Sequence, residues 1–496
     1  MKKGKIVDGK NKKRRKQQTP IDDPSPSPSP YLPQDLVLGN IITRLPVRVL
    51  SRFKLVSKLW YNSIVNDTKF AMSHFSHHQT RRKLWFNLHN VLKIGKDEVR
   101  NYFFNLEKDG SDEYNFKLLH KHESQGRSIE PVGNCNGLSC FQRMGISPGS
   151  EEIIIVNPFR RETLNLICLI PKIGGGGGSL KYLCHGFGFD LLSQEYKVVL
   201  IYTTSTSEGD RGFICMVLTL GVRSWRKVVT STCDMLPPPG YSPFPSQMVT
   251  TMWKKDHRSA AICGGDLLWR ITHTGSLDGN KIEMLLSFDI HNEKIQFIGL
   301  PEECNSLQST LKRDYYLEIG HHLLEFKGYP CVARSAKRLI NRTDSNKFCH
   351  YRFEILFYIL KDKVNQEWEN QESFDVRLKD DSFEPGEDYR NPFLQYFSHI
   401  DACPTRIFSF SDQMILYWFD GGCLIFYHLE HHNVVEGFHS DDKQTRSIFK
   451  DKMKEINPDP DYDEEDVDDS ECVCPLIDYQ LHAQVENIIS LNKLHS

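Results

Sequence analysis

The sequence predicts a small all-α module followed by a mainly β domain that closes as a β-propeller. Three observations carry this. Residues 31–75 place apolar side chains at helical spacing, residues 84–435 break into short β-branched and aromatic runs, and within those runs a strand, polar turn, strand unit recurs. The length of 496 residues exceeds what one ordinary core supports, so a large domain and at least one smaller module are expected. Hydrophobic residues at 39% and charged residues at 25% are those of a globular chain.

Residues 1–30 form the first element. Nine Lys or Arg fall within positions 1–16, and Pro24-Ser-Pro-Ser-Pro-Ser-Pro30 follows. With little hydrophobic content to drive ordering, this stretch is expected to be a disordered basic and Ser/Pro-rich tail. Its cluster Lys12 to Lys16 fits a nuclear-import signal or an anionic-surface patch, and equally a solvated charged terminus.

Residues 31–75 follow. Leu38, Ile41, Ile42 and Leu45 fall at i, i+3, i+4 and i+7, one stripe of a short helix opened by Pro33, and Pro46 ends it. Val49, Phe53, Val56, Trp60 and Ile64 then recur at spacings of three and four, which predicts a second helix with Arg48, Arg52, Lys54 and Lys58 between the apolar positions. So short a helical segment does not bury its apolar surface alone and calls for a partner.

In the β domain the strand runs include Ile153 to Val156, Tyr196 to Tyr202 and Glu354 to Leu360. The recurring unit appears as Val156 to Leu164, Phe189 to Lys197, Phe288 to Ile295 and, more weakly, Phe426 to Val434. Some 350 residues at about 40–50 residues per blade predict about six to eight blades. Radial closure also removes the exposed edges that so many strands would otherwise present. Residues 436–475 are expected to be an acidic disordered segment, with nine Asp or Glu between Asp459 and Glu471, and residues 476–496 to return to the β domain.

Leu32-Pro-Gln-Asp-Leu36, Ile41-Ile-Thr-Arg-Leu-Pro-Val47 and Leu50-Ser-Arg-Phe-Lys-Leu-Val-Ser-Lys-Leu-Trp60 resemble, in order and spacing, the F-box of plant F-box proteins. Departures are Gly39 inside the first helix, Ser51 at a usually apolar position and Ser57 at a frequent Cys. The β segments resemble the kelch-like F-box-associated domain of the same family. Gly133-Asn-Cys-Asn-Gly-Leu138 matches its first signature, and Ile154-Ile-Val-Asn-Pro158 its Trp-Asn-Pro strand with Val156 in place of Trp. Gly186-Phe-Gly-Phe-Asp190, Tyr196-Lys-Val-Val199, Ser224-Trp-Arg226, Leu267-Leu-Trp269 and Leu286-Ser-Phe-Asp289 match later landmarks, and Leu324 to Gly328 and Val485 to Leu491 its late elements.

The resemblance implies a module that docks on the Skp-type adaptor of a cullin-RING ubiquitin ligase, through Leu32, Pro33, Leu36, Ile41, Ile42, Leu45, Pro46, Val47, Leu50 and Phe53. The propeller would then hold a target protein for ubiquitination, without a catalytic residue of its own. Alternatives stay open: a propeller that binds a ligand or glycan or acts as an enzyme, or an F-box scaffold working outside the ligase.

Several chemistries find no support. Gly174 to Gly178 lack the Gly-Lys-Ser/Thr of a phosphate loop, and the His pairs 77–78, 321–322 and 431–432 with Cys472 and Cys474 lack zinc-ligand spacing. No nucleophile motif occurs, so no catalytic residue, metal or cofactor is expected. Basic residues without interleaved aromatics argue against nucleic acid, and no apolar run approaches membrane-spanning length. Trp225, Trp269 and Trp418 read as core. The fourteen cysteines lack a disulfide framework spacing and no apolar leader follows the basic start, so reduced thiols and a nuclear and/or cytoplasmic location are expected.

Overall fold

A computed structural model describes residues 32–494, except 79–81, 93–97, 109–113, 126–128, 145–149, 170–178, 206–210, 223, 230–246, 251–259, 275–280, 305–315, 343–348, 381–405, 412–413, 420–422, 432 and 439–477. The basic tail, the run Gly174 to Gly178, the acidic segment with Cys472 and Cys474, His432 and the side chain of Trp418 lie outside the described residues.

The helical module comes first. Instead of one short helix, residues 34–44 form a graded coil: α1 (Gln34–Leu36), a wide π-turn over Val37–Ile41 and a tight 3-10 turn over Ile42–Arg44. Gly39 sits in the wide turn, with nothing within 4 Å of where a Cβ would stand, and its carbonyl accepts a 2.6 Å hydrogen bond from the Thr43 hydroxyl. The second predicted helix is in fact two, α2 (Val47–Phe53) and α3 (Lys58–Asn66). The break falls at Ser57, whose hydroxyl accepts from the Trp60 N–H at 3.2 Å and so caps α3. Val56, expected on the buried stripe, lies in the turn before that cap and is exposed. A further helix, α4 (Thr68–His78), packs on the 3-10 turn.

Twenty-five strands follow among the described residues. The first blade holds β1 (Lys83–Leu92), β2 (Glu98–Lys108) and β3 (Tyr114–Gln125). The second holds β4 (Glu130–Cys135), β5 (Leu138–Met144), β6 (Ser150–Asn157) and β7 (Glu162–Leu169). The third holds β8 (Ser179–Asp190), β9 (Glu195–Ser205), β10 (Arg211–Thr219) and β11 (Arg226–Val229). In the fourth, β12 (Gln247–Thr250) and β13 (Ala261–Cys263) share one edge of β14 (Asp266–Thr274), with β15 (Lys281–Asp289) and β16 (Ile295–Gly299) outside it. The fifth holds β17 (Tyr316–Phe326), β18 (Tyr329–Arg342), β19 (Cys349–Asp362) and β20 (Glu367–Asp380). The sixth holds β21 (Arg406–Ser411), β22 (Met414–Phe419), β23 (Cys423–His428) and β24 (Asn433–Phe438).

The last strand, β25 (Asp478–Gln484), pairs antiparallel with β1 from Lys83↔Gln484 to His89↔Asp478. It supplies the inner strand of the first blade and touches β21 of the sixth, so chain end and chain start close the ring together. The six described sheets are therefore the blades of a closed β-propeller, as the sequence predicts.

Burial explains the strand composition. Ile153, Ile154, Ile155 and Val156 are all completely buried, because blades cover both faces of β6 and an unbroken apolar run replaces alternation. Val156, where the family strand carries Trp, fills this core. Trp225 and Trp269 are buried, and the Trp269 indole N–H donates to the His185 carbonyl at 2.7 Å. Gly186 and Gly188 permit that approach: a Cβ at Gly186 would lie 2.9 Å from Leu267 and Trp269, and at Gly188 2.4 Å from Ile290.

The recurring polar unit is a repeated turn. Asp190, Asp289 and Asp362 each accept, through one carboxylate oxygen, the N–H groups two and three residues on, at 2.8–3.2 Å. The residue four positions on takes positive φ: Gln194 at 57°, Glu293 at 56° and Gln366 at 55°. Asn157 and Arg161 at 58° repeat the pattern in the second blade. The aspartate substitutes for missing backbone partners and fixes a tight hairpin.

Candidate functional site

The ten sequence-predicted docking residues fall into two populations. Ile42 and Leu50 are buried, and Leu45, Val47 and Phe53 are half-buried beside them. Their shared core includes Leu38, Ile64, Phe70, Leu138, Ile488 and Leu491, so these five hold the module to the propeller. Leu32, Pro33, Leu36, Ile41 and Pro46 are exposed, with Leu32 at 54%, Leu36 at 49% and Ile41 at 48%. The wide π-turn produces the split: it rotates Ile41 outward while Leu38 and Ile42 stay inside.

Sequence periodicity missed part of the outward surface. Leu55, Leu59 and Tyr61 are exposed, Leu55 at 80%. The signal available was the Ser57 cap, which resets the helical phase between Phe53 and Trp60. Those two rings meet at 5.5 Å and join α2 to α3. Arg44, Arg48, Arg52 and Lys58 of the same segment are also exposed, and Asp35 is the only acid between positions 32 and 66. The surface is apolar and basic, which matches an acidic partner with an apolar groove.

Behind this surface the module is pinned. The buried His74 of α4 donates through Nε2 to the Leu45 carbonyl at 3.0 Å and stacks on His78 with ring centroids 4.3 Å apart. Burial, then the neighbouring His78, lower its pKa to about 4, so it is neutral near pH 7; the Leu45 hydrogen bond acts in the opposite direction.

On the propeller, the buried Lys197 ammonium donates to Asp190 Oδ2 at 3.2 Å, the Ile290 carbonyl at 2.9 Å and Glu293 Oε1 at 3.1 Å, tying the third blade to the fourth. Burial works against ionisation of Asp190, but hydrogen bonds from His291, Ser193 and Leu192 outweigh it and hold the carboxyl well below the usual range. Each charge here has a partner and a structural role. Cys135 and Cys304 are buried, which pushes both thiols up to about 12 and makes them poor nucleophiles. Among the described residues no group of three His, Cys, Asp or Glu is placed to hold a metal, and no helix is long and apolar enough to cross a membrane.

A small helical module seated on a closed propeller is the class that the fold defines. The profile described as "F-box associated beta propeller domain" matches residues 90–390. One F-box protein of Arabidopsis thaliana is 26% identical over 282 residues, 56% of this chain, and this chain spans 60% of that protein's length. F-box protein At1g30790 of the same plant is 25% identical over 69% of this chain and 74% of its own. F-box protein CPR1, also of Arabidopsis thaliana, is 24% identical over 55% and 60%. The chain belongs to the plant F-box proteins with an F-box-associated β-propeller domain.

Proposed function

We propose that this protein is the substrate-recognition subunit of an SCF-type ubiquitin ligase. The observation that carries the reading is the two-sided module: Ile42 and Leu50 are locked into the propeller core while Leu32, Leu36, Ile41 and Leu55 face outward, beside basic residues. An exposed apolar surface of this kind seeks a protein partner. The Skp-type adaptor, and through it the cullin, covers it. Leu32, Pro33, Leu36, Ile41 and Pro46 make the contact; Ile42, Leu45, Val47, Leu50 and Phe53 support it from behind.

The propeller brings a target protein to the ubiquitin-loaded enzyme. Its contribution is effective concentration and orientation, not acid, base or nucleophile, so the subunit itself is non-catalytic and works without a cofactor. It acts in the nucleus and/or cytoplasm, where the ligase operates. Affinity purification of the full chain and of a form lacking residues 31–75 tests the reading. Adaptor and cullin should accompany only the full chain while another partner accompanies both; their absence from the full chain would refute it.

A further inference from the structure

The segment after the last strand does two jobs. β25 closes the propeller by pairing with β1, and residues 485–494 then run between the helical module and the second and third blades. This segment makes no further strand. Side chains of the second blade satisfy its backbone: Asn157 Nδ2 donates to the carbonyls of Asn487 at 3.1 Å and Ile489 at 2.9 Å, and Arg160 Nη1 to that of Ile488 at 3.0 Å. Glu162 Oε2 accepts the Leu491 N–H at 2.7 Å. Asn487 Nδ2 donates to the Asn136 carbonyl and, at 3.1 Å, to the Tyr196 hydroxyl. The residues that grip the segment thus come from the Asn136-Gly137 turn, the Asn157-Pro158 turn and their neighbours.

On its other side the segment holds the module. Ile488, Ile489 and Leu491 share one apolar core with Leu38, Ile42, Leu50 and Ile64. Helix α2 has no acid in its first turn and no side-chain cap of its own. The Val47 N–H that opens it is instead accepted by Glu486 Oε2 at 3.3 Å, from 439 residues away. The other oxygen of Glu486 pairs with Lys83 at the start of β1. One buried carboxylate therefore touches the docking helix and the first blade at once, and a carboxylate at a helix start is favoured by the unpaired N–H groups there.

We infer that residues 485–494 are a clamp that fixes the angle between the docking module and the propeller, with Glu486 as its positioning residue. Its geometry stands independently of the ligase reading; only its consequence, a fixed reach from adaptor to target, rests on that reading. Because the clamp directly follows the ring-closing strand, the module is seated only when the propeller is closed.

Hydrogen exchange on the full chain tests this with Glu486→Ala, Glu486→Gln and a chain ending at Gln484. Amides of Val47–Phe53 should exchange about tenfold faster or more in the Ala variant and in the shortened chain, less in the Gln variant, with β5, β6 and β9 unchanged in the point variants. In a reconstituted ligase, self-ubiquitination should spread from a restricted set of lysines to a broader one, while adaptor affinity stays within about threefold, a separation that mere destabilisation of the F-box would not give. Exchange of α2 in Glu486→Ala within twofold of the parent would overturn the clamp. If the shortened chain unfolds, Glu486→Ala decides, since its ring strand is intact. If the parent chain does not bind the adaptor, the receptor reading fails and the exchange result still judges the clamp.

Discussion

Replacing Gly137 by Ala would strike the contact between the first signature turn and the C-terminal segment. Gly137 sits at φ +76°, where a Cβ costs about 1–2 kcal/mol. The added Cβ would stand 2.3 Å from the Val485 carbonyl oxygen, 3.0 Å from Asn487 Cβ and 3.2 Å from its nitrogen. Two of these neighbours are backbone atoms of a segment anchored nearby, where Asn157 donates to the Asn487 carbonyl and the Gln484 side chain accepts the Gly137 N–H, so little can give, and overpacking adds about 1–3 kcal/mol. Gly137→Ala should therefore lose about 2–5 kcal/mol, read as a lower urea midpoint of the full chain with an unchanged slope. Gly39→Ala is the matched control: it has negative φ and open space, so it should be neutral or gain up to about 1 kcal/mol. Equal midpoints for the two variants would refute the reasoning.

Leu50→Ala removes a buried anchor and should cost about 2–5 kcal/mol in urea unfolding, whereas Leu36→Ala should leave the midpoint within about 0.5 kcal/mol. Lys197→Met removes the buried ammonium that Asp190 and Glu293 share, leaving Asp190 with His291 and backbone N–H partners and Glu293 with Arg226, and should cost about 1–3 kcal/mol by the same measurement; a neutral effect would show that the link between the third and fourth blades adds no net stability. The His74 pKa falls from 6.5 unfolded to about 4 folded, so the unfolded state binds the extra proton first and stability is lost as pH falls from 6.5 toward 4. That interval corresponds to about 3 kcal/mol, and His74→Gln should flatten the melting-temperature profile across it; an unchanged profile would contradict the assignment.

Much of the propeller was legible because its signals are local. The unit Phe189 to Lys197 contains, within nine residues, the carboxylate that accepts the turn N–H groups, the left-handed Gln194 and the buried Lys197. The helical module was legible in its existence and less so in its phase. Periodicity treats residues 38–45 and 49–64 as regular helices, but the π-turn at Val37–Ile41 and the cap at Ser57 each shift the phase, which sends Ile41 and Val56 outward. Glu486 could not be found by spacing at all. Its partners Val47 and Lys83 lie 439 and 403 positions away, and only the closed ring brings them together. The signatures Gly133 to Leu138 and Asn157-Pro158 were readable as motifs, but their role in holding the C-terminal segment needed the fold.

The central claim is that the outward face of the helical module docks the adaptor. Isothermal titration of the full chain with a purified Skp-type adaptor tests it most directly, alongside a Leu36→Asp, Ile41→Asp double variant whose altered residues are both exposed. Saturable one-to-one binding by the parent chain, lost in the double variant with an unchanged melting temperature, is the predicted result. Binding that survives the double variant, or none by the parent chain, would contradict it.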